Sequence, residues 1–133
     1  MSTETAAPQA PERNTRQREA IRNAIVQAKR PLSTQEILEA ANQQVTGVGI
    51  ATVYRTIKAF LQTGDIIVVS LPGDAPRYEL SGRGHHHHFH CNRCNRVYDV
   101  DQCPGDLRTI APAGFRVDRH ELTLYGLCNS CQT

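Results

Sequence analysis

The chain has 133 residues, which is enough for one ordinary domain or two small ones. No apolar run approaches the length of a membrane span, and the first residues lack the basic and apolar parts of a signal peptide, so we expect a cytoplasmic protein. The net charge is only +2, but basic residues outnumber acidic ones by eight to three between Arg13 and Thr63. This excess favours a polyanionic partner for the N-terminal half, although charge alone is more typical of a solvated basic surface.

The N-terminal part is predicted to hold a tail followed by two helices. Residues 1–12 are rich in Ala, Pro, Thr and Glu without periodicity and are predicted to be a disordered tail. Apolar residues at three- and four-residue spacing predict a helix over 14–28, which ends before Pro31 because the residue before a proline disfavours the helical conformation. A capping box begins at Ser33 and opens a second helix that reaches about residue 41.

A third helix and a β-hairpin follow. The helix is predicted over 50–62, where apolar residues form one stripe, and Gly64 stands where a C-cap glycine belongs. Strands are predicted over 66–70 and 77–80, with Pro, Gly and Asp turn residues between them. Three helices followed by a hairpin is the order of a winged helix-turn-helix, so a DNA-binding domain of this type is predicted over 13–81.

The remaining residues are predicted to form a second, smaller α/β domain over 85–133. Residues 82–84, which include two glycines, are predicted to be the hinge between the domains. The elements expected in the second domain are strands over 85–92 and 96–101, a short helix over 104–110 and a strand over 116–127.

Four of the five cysteines occur as two Cys-x-x-Cys pairs, Cys91 with Cys94 and Cys128 with Cys131. In a reducing compartment such pairs favour a metal over disulfides, and two pairs supply the four thiolates of a structural zinc site. A redox-active pair or a coincidence is the alternative, but two pairs that both adjoin predicted strands favour zinc.

Five histidines in six positions lead into the first cysteine pair. Side chains alternate along a strand, so His86, His88 and His90 are predicted to share one face, and His85 and His87 the other. One strand would then contribute to two separate metal sites. Adventitious metal binding by exposed histidines is the alternative, and it applies most to His90.

The candidate recognition helix begins at Gly49-Ile50-Ala51-Thr52-Val53-Tyr54-Arg55-Thr56. Arg55 has the chemistry to read guanine, while Tyr54 and Thr52 have the chemistry to contact thymine methyl groups or phosphates. Taken alone, this helix is equally typical of an ordinary amphipathic helix.

Together these motifs closely resemble the ferric uptake regulator (Fur) family of metal-dependent transcriptional repressors. The resemblance covers about residues 14–131 and rests on motifs that occur in the family's order and spacing. These are Gly-Ile-Ala-Thr-Val-Tyr-Arg, Arg-Tyr-Glu-Leu, the histidine cluster, the two cysteine pairs and the segment from Arg119 to Gly126. The resemblance implies an α+β protein with an N-terminal winged helix-turn-helix domain and a small C-terminal α/β dimerisation domain that holds structural zinc.

The resemblance also implies partners and DNA contacts. The expected partners are a double-stranded DNA operator and a second copy of the chain, with no role for a membrane. The residues expected to contact DNA are Arg13, Ala51, Thr52, Tyr54 and Arg55.

Two further metal sites are implied by the resemblance. The expected sensory site consists of Glu79, His86, His88 and Asp99, and the expected second site of His85, His87, Asp106 and His120. A mixed nitrogen and oxygen set suits Fe(II) or Mn(II), and Zn(II) also remains open because Cys103 lies close in sequence to these ligands.

The chain departs from the family's pattern at two of these positions. His87 stands where an Asp is more usual. Pro31 stands where many members carry a His that joins the sensory site, and we hypothesise that His90 replaces it.

The expected function is a homodimeric repressor of metal uptake or homeostasis genes that Fe(II) or Mn(II) activates. A zinc-uptake regulator and a peroxide sensor, whose bound iron oxidises its own ligands, are the alternatives within the family. Outside the family, the alternatives are a protein-interaction module that structural zinc holds together and that does not bind DNA, and a zinc hydrolase. The hydrolase would use His85, His87 and His120 as ligands and Asp106 as the base.

Overall fold

The computed structural model describes residues 6–132, with side chains described from residue 13 onward. The chain divides into two compact units, Met1–Gly82 and Arg83–Thr133. The break falls inside the segment predicted as the hinge. In the described part of the chain, no helix combines the length and the apolar character that a membrane span requires.

The N-terminal unit contains three helices and a three-stranded antiparallel sheet. The elements are α1 (Ala6–Ala28), β1 (Leu32–Ser33), α2 (Thr34–Gln44), α3 (Ile50–Thr63), β2 (Ile66–Val69) and β3 (Arg77–Leu80). The sheet order is β1-β3-β2, and Tyr78 of β3 lies between Leu32 and Val68. The predicted order of three helices and a hairpin is therefore present. Strand β1 was not predicted because two residues are too few to show a period.

Helix α1 begins at Ala6, eight residues before the predicted start at residue 14. The prediction of a disordered tail is therefore wrong for residues 6–12, and residues 1–5 lie outside the described part of the chain. Extending a helix that has already formed costs much less than nucleating one, and alanine has the highest helix propensity. The alanines of this segment therefore favour continuation of the helix, whereas Pro8 and Pro11 disfavour it.

The core of the N-terminal unit forms where the apolar faces of the three helices meet the sheet. Ile21 of α1, Ile37 of α2 and Val53 of α3 are fully buried. Phe60 is also buried, as the predicted stripe of α3 requires, whereas Leu61 is only partly buried. Helix α3 ends at Gly64, whose φ of 81° is the left-handed conformation that favours glycine at a C-cap. This core fixes which face of α3 remains exposed.

The C-terminal unit is a small sheet with long irregular connections. Its elements are β4 (His87–Cys91), β5 (Val97–Val100), a 3-10 helix (Leu107–Ile110) and β6 (Thr123–Gly126). The sheet order is β5-β4-β6, with β4 antiparallel to β5 and parallel to β6. Of the strand predicted over 116–127, only the four residues of β6 form a strand, because the neighbouring strand β4 has only five residues with which to pair. The helix expected over 104–110 is a single 3-10 turn.

Candidate metal centres and DNA-binding surface

The two cysteine pairs meet at one end of the C-terminal sheet. Cys91 is the last residue of β4 and pairs with Gly126 in parallel register, which brings the turn containing Cys128 and Cys131 alongside. The four Sγ atoms all lie within 4.8 Å of one another, and those of Cys94 and Cys128 are 3.8 Å apart. Tetrahedral zinc with Zn–S bonds near 2.3 Å separates its sulfur ligands by about 3.8 Å. The residues therefore fit a structural zinc ion.

The pKa values of the cysteine thiols in this cluster also favour a bound cation. The Cys128 amide N–H donates to the Sγ of Cys91 at 3.4 Å, and this hydrogen bond, followed by that from the Cys94 amide, lowers the pKa of the Cys91 thiol to about 5. Hydrogen bonding with the Cys128 side chain raises the pKa of Cys131 to about 12. One thiolate thus forms readily while its neighbour keeps its proton. Four thiolates can share this space only with a cation between them.

A second cluster contains His86, His88 and Asp99. His88 and Asp99 are paired residues of β4 and β5, and the rings of His86 and His88 are 4.9 Å apart. Asp99 Oδ1 lies 3.5 Å from His86 Nε2 and 3.6 Å from His88 Nε2. Arg83 forms an ion pair with the same carboxylate and, at 3.0 Å, with that of Asp101. Two imidazoles and a carboxylate therefore converge at the start of the C-terminal unit.

Glu79, the other residue expected at this site, lies on β3 of the N-terminal unit. Its participation stays a prediction.

A third cluster contains His85, His87, His120 and Cys103, whose ligand atoms also all lie within 4.8 Å of one another. His85 Nε2 is 3.2 Å from His120 Nε2, and Cys103 Sγ is 3.4 Å from the same His120 nitrogen. The rings of His85 and His87 are 4.5 Å apart.

Asp106, the carboxylate expected at this site, is not one of the residues whose ligand atoms this cluster brings together, and its participation stays a prediction. Asp106 caps the 3-10 helix by accepting from the Arg108 amide, and both of its oxygens accept from the Arg108 guanidinium. These hydrogen bonds lower the pKa of Asp106 to about 2. The carboxylate is thus engaged by its neighbour, whereas Cys103 lies with the three histidines. The sequence did not assign Cys103 to this site, because nothing around it is periodic; it left Zn(II) open only because Cys103 lies close in sequence to the expected ligands.

His87 is the buried centre of this third cluster. Its side chain is only 1% exposed, and neither ring nitrogen has a hydrogen-bond partner among the residues that the structure describes. Burial lowers the pKa of His87, and the neighbouring His85 and His120 lower it further. A neutral imidazole whose buried nitrogens lack partners is ready to act as a metal ligand.

His90 does not join the histidine clusters. Its Nε2 lies 2.6 Å from Asn95 Oδ1, and its ring centroid is 5.8 Å from that of Tyr125. The hypothesis that His90 replaces the missing sensory histidine is therefore not supported, although the predicted alternation of the other four histidines corresponds to the two clusters.

The residues expected to contact DNA lie on the exposed surface of α1 and α3. Ala51, Tyr54 and Arg55 of α3 are exposed, with Tyr54 at 56%, and Arg55 donates to Thr52 Oγ1 at 3.1 Å. Arg13 is exposed on α1. A groove between these helices is lined by Asn14, Arg18, Thr52, Arg55, Thr56 and Ala59. Two arginines thus border a groove beside the candidate recognition helix.

Comparisons with known proteins agree with these features. Residues 9–125 match the model of the Ferric uptake regulator family. The chain is 35% identical over 104 residues to the ferric uptake regulation protein of Legionella pneumophila, which covers 76% of each chain.

Solved structures are similar as well. The ferric uptake regulator of Francisella tularensis with iron has a TM-score of 0.67 at 29% identity, covering 88% of this chain and 92% of that one. A zinc-bound manganese uptake regulator has a TM-score of 0.75 at 28% identity, covering 84% and 87%. The match to the family model spans most of the chain, and the chain therefore belongs to the Ferric uptake regulator family of metal-dependent transcription regulators.

Proposed function

We propose that this chain acts in the cytoplasm as a homodimeric repressor of metal uptake or homeostasis genes, with Fe(II) or Mn(II) as its activating ion. The observation that carries the proposal is the convergence of His86, His88 and Asp99 close to Gly82, where the two units divide. An ion held there binds next to the segment that connects the sensor to the DNA-binding unit. Glu79 is proposed as the further ligand from the N-terminal unit.

The donor set supports the choice of ion. Two imidazoles with one or two carboxylates form a mixed nitrogen and oxygen site, which suits Fe(II) or Mn(II) better than a sulfur-containing site does. Arg83 already supplies positive charge to Asp99. An ion bound by Asp99 would take over this charge compensation and release the guanidinium of the hinge segment.

DNA binding is proposed to depend on the spacing of two winged-helix units. Dimeric regulators read half-sites about one helical turn apart, roughly 34–36 Å. A metal increases the affinity for DNA only if it binds more tightly to the arrangement that has this spacing. In this proposal Glu79 provides that preference, because it belongs to the DNA-binding unit.

A homodimer is supported by exposed apolar residues in the C-terminal unit. Strand β6 is an edge of its sheet, and its Leu124 and Tyr125 are 46% and 51% exposed. Ile110 and Phe115, which belong to the same unit, are 77% and 71% exposed. Apolar side chains on an edge strand mark a surface that a partner covers, and a second copy of this unit is the partner proposed.

A hydrolase is a poor alternative. The family consists of transcription regulators, and Asp106, the base that this alternative requires, is held as a carboxylate by Arg108 with its pKa lowered to about 2. A general base is most effective when its pKa lies near the working pH.

The test is metal-dependent DNA binding. Duplexes selected from a random pool by the Mn(II)-loaded protein would be titrated with and without Mn(II). We expect Mn(II) to tighten binding by about tenfold or more, a coupling free energy within the usual range of about 1–3 kcal/mol. His86→Ala combined with His88→Ala should abolish this gain, and Glu79→Gln should reduce it.

His90→Ala is the matched control, because His90 lies on the same strand outside the histidine clusters. It should respond to Mn(II) as the wild-type protein does. Equal affinity with and without metal would reject the switch, and no DNA selected under either condition would favour an interaction module.

A further inference from the structure

The third cluster has an unusual donor set for a second regulatory site. The family resemblance implied a carboxylate from Asp106, but the fourth member of the cluster is the thiol of Cys103, while Asp106 accepts from Arg108. The set is therefore three imidazoles and one thiol, all contributed by the C-terminal unit. Such a set is softer than the set of His86, His88 and Asp99, and soft ligands select different ions.

The distances in this cluster fit a tetrahedral ion. Zinc bonds near 2.0–2.1 Å to nitrogen and 2.3 Å to sulfur place neighbouring ligand atoms about 3.3–3.6 Å apart. The separation between His85 Nε2 and His120 Nε2 is 3.2 Å, and that between Cys103 Sγ and His120 Nε2 is 3.4 Å. His87, whose buried nitrogens have no hydrogen-bond partner in the described part of the chain, completes four ligands.

We propose that His85, His87, His120 and Cys103 form a closed zinc site, in which the Cys103 thiolate replaces the carboxylate. With four protein ligands, the ion has no open position for water or substrate, so the site is not catalytic. The inference goes beyond the proposed regulatory function, because it concerns other ligands and another ion than the Fe(II) or Mn(II) site.

Zinc at this position would join three separate parts of the chain. His87 is the first residue of β4 and His85 lies just before it, Cys103 belongs to the connection after β5, and His120 to the segment before β6. Between residues 101 and 122 the only regular element is the four-residue 3-10 helix. The ion would therefore anchor this irregular segment to the sheet at both of its ends.

Co(II) is the probe for the test, because a thiolate bound to Co(II) produces a charge-transfer band in the near ultraviolet. Full-length protein would first be loaded with one equivalent of Zn(II) to fill the four-cysteine site, and then titrated with Co(II). We expect the band to appear in the wild-type protein and to disappear in Cys103→Ser. Added Zn(II) should abolish the band, whereas excess Mn(II) should leave it unchanged.

Asp106→Asn is the matched control. It should keep the band. Cys103→Ser should weaken the affinity for the second zinc by about tenfold or more, because loss of a group that only hydrogen-bonds to a metal ligand already lowers metal affinity by about 10–100-fold. Retention of the band in Cys103→Ser, its loss in Asp106→Asn, or its displacement by Mn(II) would each overturn the proposal. Retention of the first zinc shows that each variant is folded.

A second readout uses proteolysis of the irregular segment. Arg108 and Arg116 have side chains that are 73% and 89% exposed and are potential trypsin sites. We expect the second equivalent of Zn(II) to slow cleavage at these arginines in the wild-type protein and in Asp106→Asn, but not in Cys103→Ser. Cleavage that is equally fast with and without the second zinc in the wild-type protein would contradict the anchoring role.

Discussion

Neighbouring histidines of the run from His85 to His88 face opposite sides of the extended segment that leads into β4. His86 and His88 face Asp99, while His85 and His87 face His120. Alternation along an extended chain sends neighbours to opposite sides, so one segment contributes side chains to two separate clusters. The run of identical side chains therefore belongs to two different histidine clusters.

Arg55 is the single residue on which the DNA-binding proposal depends most. It is exposed on α3, and Thr52 orients its guanidinium. We expect Arg55→Ala to weaken DNA binding by about 1–3 kcal/mol if the guanidinium pairs with a base, and to reduce the salt dependence if it pairs with a phosphate. Titration of fluorescent duplexes at several salt concentrations measures both.

Arg116→Ala removes the same charge from the C-terminal unit, where the side chain is 89% exposed, and should leave DNA affinity nearly unchanged. If both variants lost affinity equally, net charge rather than α3 would govern binding.

Glu36 links several elements of the N-terminal unit. Ser33 Oγ accepts from the Glu36 amide, and Glu36 accepts from the Ser33 amide, as the capping box predicted. The same carboxylate pairs with Arg30, after α1, at 2.7 Å and with Arg77 of β3 at 3.3 Å. One side chain thus starts α2 and connects it to the end of α1 and to the sheet.

We expect Glu36→Gln to lower the free energy of unfolding by about 1 kcal/mol near neutral pH, because the amide keeps the capping box but loses the ion pairs, which are partly exposed. Burial raises the pKa of Glu36, but hydrogen bonds from Arg30 and Ser33 and the charges of Arg30 and Arg77 outweigh it, so the pKa is lowered from its ordinary value of 4.5. The stabilisation is therefore present above pH 4.5 and is lost as the pH falls through the folded-state pKa.

Denaturant unfolding followed by helical circular dichroism, near pH 7 and at successively lower pH, measures this effect. Glu39→Gln is the control, since Glu39 is exposed on the same helix and its carboxylate accepts from Gln35 rather than from an arginine. A difference between Glu36→Gln and the wild-type protein that persisted unchanged in acid would contradict the assigned cause.

At the scale of the whole molecule, the two units have very different cores. Most of the buried apolar residues lie between Ala20 and Leu71, and those of the described C-terminal unit are Cys91, Val97 and Cys128. Two of these three are proposed zinc ligands. Because folded proteins are only marginally stable, the C-terminal unit is expected to depend on its metal far more than the N-terminal unit does.

We expect removal of zinc from the four-cysteine site by a strong chelator to unfold the C-terminal unit and leave the helices of the N-terminal unit intact. Zinc contributes about 10–16 kcal/mol in finger peptides, which is comparable to the whole stability of a domain. Two-dimensional amide spectra report on each unit separately. Cys131→Ser should reproduce the effect without chelator, whereas Cys103→Ser should not. Native signals from both units after complete zinc loss would contradict the structural role.

The sequence by itself determined the features that local rules govern. Capping and the period of apolar residues predicted α2, α3 and the hairpin, and strand alternation predicted the division of the histidines. The spacing of the cysteines predicted that they would meet, because each pair is a local unit. Helix α1 was predicted too short, because the residues near Ala6 do not show the apolar period from which the start of the helix was predicted.

Only the tertiary structure decided the third cluster. Cys103, Asp106 and His120 lie on connections without a period, so nothing local indicates which of them reaches β4. Arg108 is close enough to engage Asp106, and the path of the chain brings Cys103 to His120 instead. A ligand on a strand is positioned by its neighbours in sequence, whereas a ligand on a loop is positioned by whatever the folded chain packs against it.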